Sequence, residues 1–271
     1  MSIPAKLSTR GLSKSFRKGS TTIEVLRGLD IDIFPGEFVS IVGASGCGKT
    51  TFLRLVDGLI APTEGRISID GEPVNKPGDK IAFVFQQDGL LPWRTVAGNT
   101  VLGPEIQRRD LRDARKIADG YLRLVGLAGF DRHYPHELSG GIRQRVNIAR
   151  ALSAGADVLL MDEPFAALDA QTREIMQAEL LRIWQETRKT VLLVTHQIDE
   201  AVYLSDRVLI FTVRPGRLKQ ELRIELPRPR DLSIKRTGEF VRYTDQIWRA
   251  IEEEVREAMG REARDIAASH T

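Results

Sequence analysis

The sequence predicts an α/β protein in which a mostly parallel sheet is interrupted by a helical insert. Three observations support this fold class. The apolar run Phe38 to Val42 has the length and composition of a buried strand, and two similar runs lie at Val158 to Met161 and Val191 to Thr195. A helical stretch, Gln171 to Glu186, separates the last two in βαβ order. Between Val96 and Arg150 the sequence is charged and helix-favouring instead.

The other elements follow from periodicity and turn residues. Residues 30–33 alternate Asp and Ile, which indicates a strand, and Pro35-Gly36 marks the turn after it. Asp70-Gly71 is a hairpin signal that follows an alternating run. The remaining predicted elements are strands at Arg66 to Asp70, Ile81 to Phe85, Asp206 to Thr212 and Arg217 to Leu226, and helices at Thr50 to Gly58, Leu111 to Val125 and Gly141 to Leu152.

A further helix is predicted near the C-terminus. Pro227 and Pro229 end the preceding strand. Phe240, Tyr243, Ile247, Trp248, Ile251 and Val255 then recur at helical spacing. We expect this helix to pack on its own domain and not to be a free partner-binding helix. The residues from Arg261 onward are expected to be frayed.

Composition excludes several classes of protein. The chain has 271 residues, of which 42% are apolar and 28% charged, as is typical of a globular protein with a full core. Its single cysteine, Cys47, excludes an internal disulfide framework and Cys-ligated zinc. The longest stretch without a charged residue, Phe38 to Gly48, has 11 residues, well short of the roughly 20 that cross a bilayer. The opening residues lack the apolar core of a signal peptide, so a cytoplasmic location is expected.

The basic excess of the chain is local. The net charge is +3, but residues 214–236 contain eight Lys or Arg and three Asp or Glu, a net charge of +5. Such a segment could contact nucleic acid, anionic lipid or a partner protein. A solvated face is the preferred interpretation. No aromatic-interleaved or groove-reading module accompanies the segment, which argues against a nucleic-acid binder.

Residues 43–50 match the phosphate-binding pattern G-x-x-x-x-G-K-[ST] in full. Glycines let backbone N–H groups turn inward around a phosphate, and the following helix directs its positive end at the same anion. Lys49 is expected to reach the β- and γ-phosphates, and the Thr50 hydroxyl to ligate Mg²⁺. The strand before the loop and the helix after it make a simple glycine turn a weak alternative. The candidate nucleotide-binding residues are Gly43, Ala44, Ser45, Gly46, Cys47, Gly48, Lys49, Thr50 and Thr51.

Asp162 and Glu163 end a predicted buried strand, where ligands bind in open α/β sheets. Asp162 is expected to hold Mg²⁺, directly or through water, and Glu163 to polarise the attacking water as general base. An apolar run followed by Asp-Glu is a common strand end. The interpretation therefore depends on the phosphate loop earlier in the chain.

The segment Leu138-Ser139-Gly140-Gly141 distinguishes between phosphate-loop families. It offers a second anion site, made by Ser139 and glycine N–H groups at a helix N-terminus. An N-cap serine before a helix explains Ser139 but not its neighbours. The segment resembles the signature loop of ATP-binding cassette (ABC) proteins. That resemblance implies that Ser139, Gly140 and Gly141 bind the γ-phosphate of an ATP held by a second subunit in a head-to-tail dimer.

Four further positions resemble cassette motifs, in the order of the family. Gln86 resembles the Q-loop glutamine that senses Mg²⁺ and water, and Asp169 resembles the aspartate of the D-loop. His196 resembles the switch histidine that contacts the γ-phosphate, and Phe16 lies where the family places an aromatic ring against adenine. Each residue alone would be an ordinary loop or core residue. Together the motifs extend over most of the chain.

The resemblance implies a P-loop NTPase (RecA-like) core with an N-terminal antiparallel β subdomain and an inserted α-helical subdomain. The expected boundaries are 1–95 and 155–215 for the ATP-binding core, 96–154 for the helical signature subdomain, 216–260 for a C-terminal extension and 261–271 for a tail. Ile142, Ala166 and Gln197 replace the usual Gln, Ser and Asp of the family. None of these departures removes a phosphate or Mg²⁺ ligand, so ATP hydrolysis is expected.

Finer similarities point to the importer subunits of the nitrate, sulfonate and taurine group. They lie at Gln87 to Trp93, Leu138 to Val146, Asp162 to Phe165, Arg214 to Arg217 and Leu226 to Asp231. The resemblance implies a peripheral ATPase on the cytoplasmic face of the membrane, with ATP and Mg²⁺ as cofactors. The implied partners are a second copy of the chain, integral-membrane permease subunits and, indirectly, a periplasmic or lipid-anchored solute-binding protein. Nucleic acid is not among them.

Leu91 and Trp93 are the candidate permease contacts, because an exposed Trp beside an apolar Leu-Leu-Pro is a suitable anchor. Core burial of Trp93 is the alternative. Among other functions, a small-molecule kinase would have no use for residues 138–141 or His196. A DNA-repair or chromosome cassette ATPase would need a long coiled-coil insertion, and a translation-type cassette protein would carry two cassettes. The sequence has neither feature.

Cys47 is also a candidate reactive thiol. It lies inside the phosphate loop near a helix N-terminus, where the thiolate is favoured. Maleimide labelling is therefore expected to abolish activity, with MgATP blocking the reaction. A buried, inert thiol is the alternative.

Overall fold

The strands and helices alternate along the chain largely as the sequence predicts. The structure is a computed structural model that describes residues 3–86 and 89–269. Side chains are described for all of these residues except residue 18 and residues 257–269. The chain divides into two units, one of residues 1–75 with 194–271 and one of residues 76–193.

The elements are numbered in chain order. The strands are β1 (Leu7–Lys18), β2 (Thr21–Ile33), β3 (Phe38–Gly43), β4 (Glu64–Ile69), β5 (Glu72–Pro73), β6 (Ile81–Val84), β7 (Val158–Asp162), β8 (Thr190–Val194), β9 (Arg207–Phe211) and β10 (Leu218–Arg223). The helices are α1 (Lys49–Val56), α2 (Val96–Thr100), α3 (Leu102–Ile106), α4 (Leu111–Leu124), α5 (Gly140–Ser153), α6 (Ala170–Thr187), α7 (Ile198–Leu204) and α8 (Gly238–Ser269). Short 3₁₀ helices lie at Pro135–Glu137 and Leu232–Arg236.

An antiparallel sheet forms the N-terminal part of the first unit, with strand order β2-β1-β4-β5. Leu7 of β1 lies opposite Ile33 of β2 on one side and Ile69 of β4 on the other, and all three side chains are buried. Asp70 and Gly71 connect β4 to β5 with φ angles of 53° and 77°, which a tight hairpin turn requires. Both the hairpin and the antiparallel N-terminal sheet confirm the sequence prediction.

The same unit contains a second group of strands, in the order β10-β9-β3. β3 and β9 are parallel, with Val39 opposite Arg207, and β10 is antiparallel to β9. All six residues of β3 and all five of β9 are buried, as expected for strands covered on both faces. Helix α1 packs on β9 through Phe52, whose ring meets that of Phe211 edge to face at 5.7 Å.

The second unit combines a βαβ arrangement with the helical insert. Its strands lie in the order β8-β7-β6, and β6 is parallel to β7, with Ile81 opposite Val158. Helix α6 connects β7 to β8, as predicted. Between Val96 and Ser153 every element in the described residues is a helix, which confirms the insert. Helix α4 begins with the Asp110 side chain as N-cap and buries Ala114, Ala118 and Leu122.

The basic segment after β9 is only partly a solvated face. Arg230 is buried, and its guanidinium donates hydrogen bonds to the carbonyl oxygens of Val202, Tyr203, Ser205, Ile224 and Leu226. Burial lowers the pKa of Arg230 to about 10, so it still carries a charge at neutral pH. Arg228 pairs with Asp206 at 2.7 Å. The solvated-face interpretation is therefore wrong for these two arginines, because they satisfy the carbonyl groups at the end of α7.

The C-terminal helix α8 packs on its own unit through Phe240, Tyr243 and Ile247, which are buried as predicted. The helical spacing predicts that Trp248 lies on the same face, but 57% of this residue is exposed. The helix continues to Ser269, so residues 261–269, where a frayed tail was expected, lie within it. Ala, Glu and Arg are strong helix formers, and they recur through this part of the sequence. In the described residues, no helix combines the length and the apolar character needed to cross a membrane.

Candidate functional site

The phosphate loop connects β3 to α1 in the first unit. Gly48 lies at the N-cap of α1 with a φ of 105°, and Gly46 has a φ of 74°. No side chain caps this helix, and its first turn contains no acidic residue. The N–H groups at the start of a helix and the helix dipole therefore favour an anion at this end.

The loop is held so tightly that side chains would not fit at its ends. A Cβ at Gly43 would lie 2.8 Å from the carbonyl oxygen of Phe211, and a Cβ at Gly48 would lie 2.6 Å from Cδ2 of Leu26. The glycines thus serve close packing as well as backbone conformation. This requirement comes from β2 and β9, which are distant from the loop in sequence.

Lys49 turns back over the loop. Only 7% of the residue is exposed, and its Nζ donates hydrogen bonds to the carbonyl oxygens of Gly43 at 2.8 Å and Ala44 at 3.1 Å. An ammonium group therefore lies at the start of a loop of inward-turning glycines. This donor set fits a polyphosphate, which offers several oxygen acceptors and negative charges.

The structure contradicts the prediction of a reactive thiol at Cys47. The residue is 1% exposed, and its Sγ lies 3.8 Å from Nζ of Lys49. Burial raises the pKa of the Cys47 thiol, and the neighbouring ammonium offsets this effect only in part. The structure therefore supports the alternative of a buried thiol.

Phe16 and His196 belong to the same unit as the loop. Phe16, on β1, is 42% exposed, with Nζ of Lys14 lying 5.0 Å from the ring centroid, so it is not a core ring. His196 is exposed and directly follows Thr195, whose N–H donates to the carbonyl oxygen of Ile41 at 3.2 Å. Because Ile41 belongs to β3, this bond places His196 near the strand that leads into the phosphate loop.

Gln86 and Glu163 meet in the second unit. They follow the carboxyl ends of β6 and β7, two neighbouring parallel strands. Nε2 of Gln86 donates to Oε2 of Glu163 at 3.2 Å. Asp162 is the last residue of β7, so three sequence-predicted residues lie at one edge of this sheet. Gln87 and Asp88, which the importer resemblance includes, lie outside the described residues.

Glu163 has an unusual backbone conformation. Its φ is +47°, although it carries a side chain and precedes Pro164. Residues before proline prefer extended conformations, and left-handed conformations are uncommon in general for residues other than glycine. Such conformations recur at functional sites, where surrounding structure maintains them. Sequence reasoning gave no sign of this feature.

The signature segment and the D-loop pack against each other within the second unit. Oγ of the exposed Ser139 accepts a hydrogen bond from the N–H of Ile142 at 3.4 Å, so Ser139 is an N-cap of α5. A Cβ at Gly141 would lie 2.9 Å from Cγ2 of Thr172. Asp169 caps α6 by accepting from the N–H and hydroxyl of Thr172, and these bonds hold the pKa of Asp169 below its usual value. Each cap leaves a helix N-terminus ordered and at the surface.

The loop after the Q-loop presents Trp93 to solvent. This residue is 71% exposed, so core burial is excluded. The loop is ordered by Asn99, which is fully buried. Its Nδ2 donates to the carbonyl oxygens of Leu91, Arg94 and Thr95, and its Oδ1 accepts from the N–H of Leu91 at 2.7 Å. Sequence reasoning missed Asn99, because a single asparagine in a helical segment carries no distinctive signal.

Fold and loop together define a phosphate-loop nucleotide-binding protein. A family model described as ABC transporter matches residues 26–166, which is just over half of the chain. The chain therefore belongs to the ABC transporter family, as the signature resemblance predicted. It is an ATP-binding, ATP-hydrolysing protein of that family.

Curated relatives match nearly the whole chain. An uncharacterized ABC transporter ATP-binding protein of Methanocaldococcus jannaschii is 47% identical and covers 92% of both chains. The nitrate import ATP-binding protein NrtD of Synechocystis sp. is 44% identical and covers 89% of this chain and 93% of its own. The aliphatic sulfonates import ATP-binding protein SsuB of Bacillus cereus is 44% identical, and the match covers 83% of this chain and 88% of SsuB.

Solved structures of cassettes share the fold. A dimeric ATP-binding cassette in a post-hydrolysis state, bound to ADP and Pi, matches with a TM-score of 0.70 and 35% identity over 82% of this chain and all of its own. The protein cbiO1 of Clostridium perfringens, part of the ABC transporter complex cbiONQ, matches with a TM-score of 0.74 and 25% identity. This match covers 90% of the present chain and 95% of cbiO1. These matches confirm the predicted α/β cassette fold.

Proposed function

We propose that this chain is the ATPase subunit of an importer for nitrate, a sulfonate or a related small solute. The observation that carries the proposal is its similarity over most of its length to proteins named for nitrate import and aliphatic sulfonates import. Its place in the cell would be the cytoplasmic face of the membrane, as a peripheral subunit. The chain's own residues supply ATP binding and hydrolysis, and solute selection belongs to its partners.

Lys49 and the N–H groups of residues 44–50 bind the β- and γ-phosphates in this proposal, and Phe16 stacks on the adenine. Thr50, Asp162 and Gln86 would hold Mg²⁺, which neutralises developing negative charge on the transferred phosphoryl group. A hydroxyl, a carboxylate and an amide oxygen suit this ion, which keeps several waters and phosphate oxygens as ligands. The described residues contain no cluster of three or more His, Cys, Asp or Glu that would form an all-protein metal site, and nucleotide-bound Mg²⁺ requires none.

Glu163 is the general base of the proposed mechanism. Its carboxylate accepts a proton from the water that attacks the γ-phosphorus, and the bond from this phosphorus to the β–γ bridging oxygen breaks, so that ADP leaves with that oxygen. Gln86, hydrogen-bonded to the same carboxylate, orients the carboxylate. His196 donates a hydrogen bond to the γ-phosphate. The left-handed backbone of Glu163 is of the kind that recurs at functional sites.

A second copy of the chain completes each site. Ser139, Gly140 and Gly141 lie at the N-terminus of α5, where N–H groups and the helix dipole attract a phosphate. In a head-to-tail dimer they would contact the γ-phosphate held by the other copy. The related cassette with ADP and Pi is dimeric, which supports this arrangement. Ile142 and Ala166 replace the family's usual Gln and Ser, and neither replacement removes a phosphate or Mg²⁺ ligand of this arrangement.

Trp93 and Leu91 form the proposed docking point for a membrane permease. An exposed indole on an ordered loop can enter a pocket of a partner with little loss of conformational entropy. The permease would in turn receive the solute from a periplasmic or lipid-anchored binding protein. No nucleic acid takes part.

The permease contact can be tested by replacing Trp93. An affinity-tagged form of the chain is used to capture its partners from detergent-solubilised membranes of its native cells. The captured proteins are identified by mass spectrometry. The wild-type chain should retain an integral-membrane permease. The amount of permease retained by Trp93→Ser should be lower by at least about tenfold, as expected for an interface hot spot. Trp248→Ser is the matched control, since Trp248 is also exposed. Absence of any permease from the wild-type sample, or equal retention by both variants, would contradict the proposal.

A further inference from the structure

The turn after β9 lies directly against the phosphate loop. Gly216 donates its N–H to the carbonyl oxygen of Val25 at 2.8 Å, and its own carbonyl accepts from the N–H of Arg27 at 3.0 Å. A Cβ at Gly216 would lie 2.2 Å from the carbonyl oxygen of Cys47. Main chain thus packs on main chain, and residues 212–217 (the β9 turn) form a support behind the loop.

Arg214 extends this contact with a charged side chain. Nη2 of Arg214 donates to the carbonyl oxygen of Gly46 at 3.4 Å. This oxygen belongs to the Gly46–Cys47 peptide unit, whose N–H donates to the carbonyl oxygen of Ala44 within the loop at 3.3 Å. A cationic donor on the oxygen of a peptide polarises its N–H, which strengthens this bond and stabilises the conformation of the loop. The guanidinium also adds positive charge beside the loop.

The C-terminal extension fixes the β9 turn in place. Oε2 of Glu254, on α8, accepts a hydrogen bond from the N–H of Val213 at 2.9 Å. Oε1 of the same carboxylate pairs with Nζ of Lys219 at 3.0 Å, and Glu254 is 7% exposed. Within the turn, Oγ1 of Thr212 donates to the carbonyl oxygen of Pro215 at 3.0 Å. A buried carboxylate on α8 therefore fixes the position of the main chain immediately before Arg214.

We propose that Arg214 is a positioning residue for nucleotide binding, and that the C-terminal extension sets the affinity for nucleotide through the β9 turn. Arg214 holds the Gly46–Cys47 peptide in the conformation that the phosphate loop has in this structure. Because both ATP and ADP bind in that loop, loss of Arg214 weakens binding in the ground state and the transition state alike. The inference rests on the phosphate-binding role proposed above for residues 43–50.

The test compares Arg214→Ala, Arg214→Lys and the matched control Arg217→Ala in the full-length chain. Loss of one charge-assisted hydrogen bond at an exposed position should raise KM for ATP by about 3- to 10-fold and leave kcat within about twofold. The affinity for ADP, measured by calorimetry, should fall by the same factor. Arg214→Lys should recover most of the loss, and Arg217→Ala, an exposed arginine on the same turn, should behave as wild type.

Two additional variants separate the possible outcomes. Glu254→Gln loosens the turn without touching the loop, so it should raise KM by a smaller factor than Arg214→Ala. Lys49→Ala should abolish binding of ADP and ATP, and retained binding would overturn the role of the loop itself. The proposal for Arg214 is overturned if Arg214→Ala leaves KM and ADP affinity unchanged. It is also overturned if kcat and melting temperature fall at constant KM, since that pattern indicates a purely structural role.

Discussion

Glu163 carries the chemistry of the proposed site, and its geometry distinguishes it from an ordinary strand-end carboxylate. Its backbone is left-handed, and the hydrogen bond from Gln86 orients its carboxylate. A general base needs such a fixed direction, because proton transfer requires approach to within hydrogen-bond distance. The residue type and position follow from sequence, whereas the backbone conformation does not.

Replacement of Glu163 by Gln tests this role. The amide keeps the size of the side chain but cannot accept a proton, so kcat for ATP hydrolysis should fall by roughly 10² to 10⁴. Binding of ATP, measured with a fluorescent analogue, should be unchanged. Glu174→Gln, an exposed glutamate on α6, is the control and should hydrolyse ATP as wild type does. Normal turnover by Glu163→Gln would exclude Glu163 as the base.

Residue-level chemistry was predictable from sequence only where a motif dictates it. The spacing of Gly43, Gly48 and Lys49 was enough to predict a phosphate loop. The state of Cys47 was not, because its pKa depends on burial by residues from distant parts of the chain. The contact between Arg214 and Gly46 has the same origin, since 168 positions separate the two residues. Their proximity arises only when β9 pairs with β3.

Among the elements, helix α1 has an unfavourable carboxylate at its C-terminus. Asp57 is the C-cap of this helix and is 8% exposed. Burial raises the pKa of Asp57 to about 6, and the negative end of the helix dipole disfavours the charged form as well. The folded state therefore binds this proton more tightly than the unfolded state does. Its stabilising contribution is present at low pH and is lost as the pH rises toward 6.

Asp57→Asn should remove this pH dependence. At pH 8 the free energy of unfolding should increase by an amount on the order of 2 kcal/mol, because the buried charge is gone. Near pH 4, where the wild-type carboxyl is protonated in the fold, the gain should disappear. Chemical denaturation at several pH values measures both effects. Asp79→Asn, at an exposed loop position, serves as control, and an equal gain at pH 4 and pH 8 would contradict the assignment.

Element boundaries show what periodicity can and cannot predict. Helices α4, α5 and α6 agree with the prediction to within about one residue, because each has a clear apolar stripe or a capping residue. Helix α7 was missed, since seven residues are too few for a periodic signal. The role of Arg230 was missed for another reason. A run of basic residues looks solvated until the carbonyl groups that it satisfies are known.

At the scale of the whole molecule, the sequence-predicted site residues are found in two separate units of the chain. The phosphate loop and His196 belong to one unit, and Gln86, Glu163 and the signature segment belong to the other. In the proposed mechanism, each ATP also requires the signature segment of a second copy. Family membership was predictable from the order of these motifs. The exposure of Trp93 and the ordering of its loop by Asn99 required the structure.

The most direct test of the two-copy site is the mass of Glu163→Gln in solution, measured by light scattering with and without MgATP. A chain that binds ATP without hydrolysing it should accumulate in the closed state. We therefore expect a change from 30.3 kDa to twice that mass on addition of MgATP. The double variant Lys49→Ala, Glu163→Gln should remain monomeric, because it cannot bind the nucleotide. A Glu163→Gln chain that binds ATP and keeps the mass of a single copy would contradict the claim that two copies enclose the nucleotide.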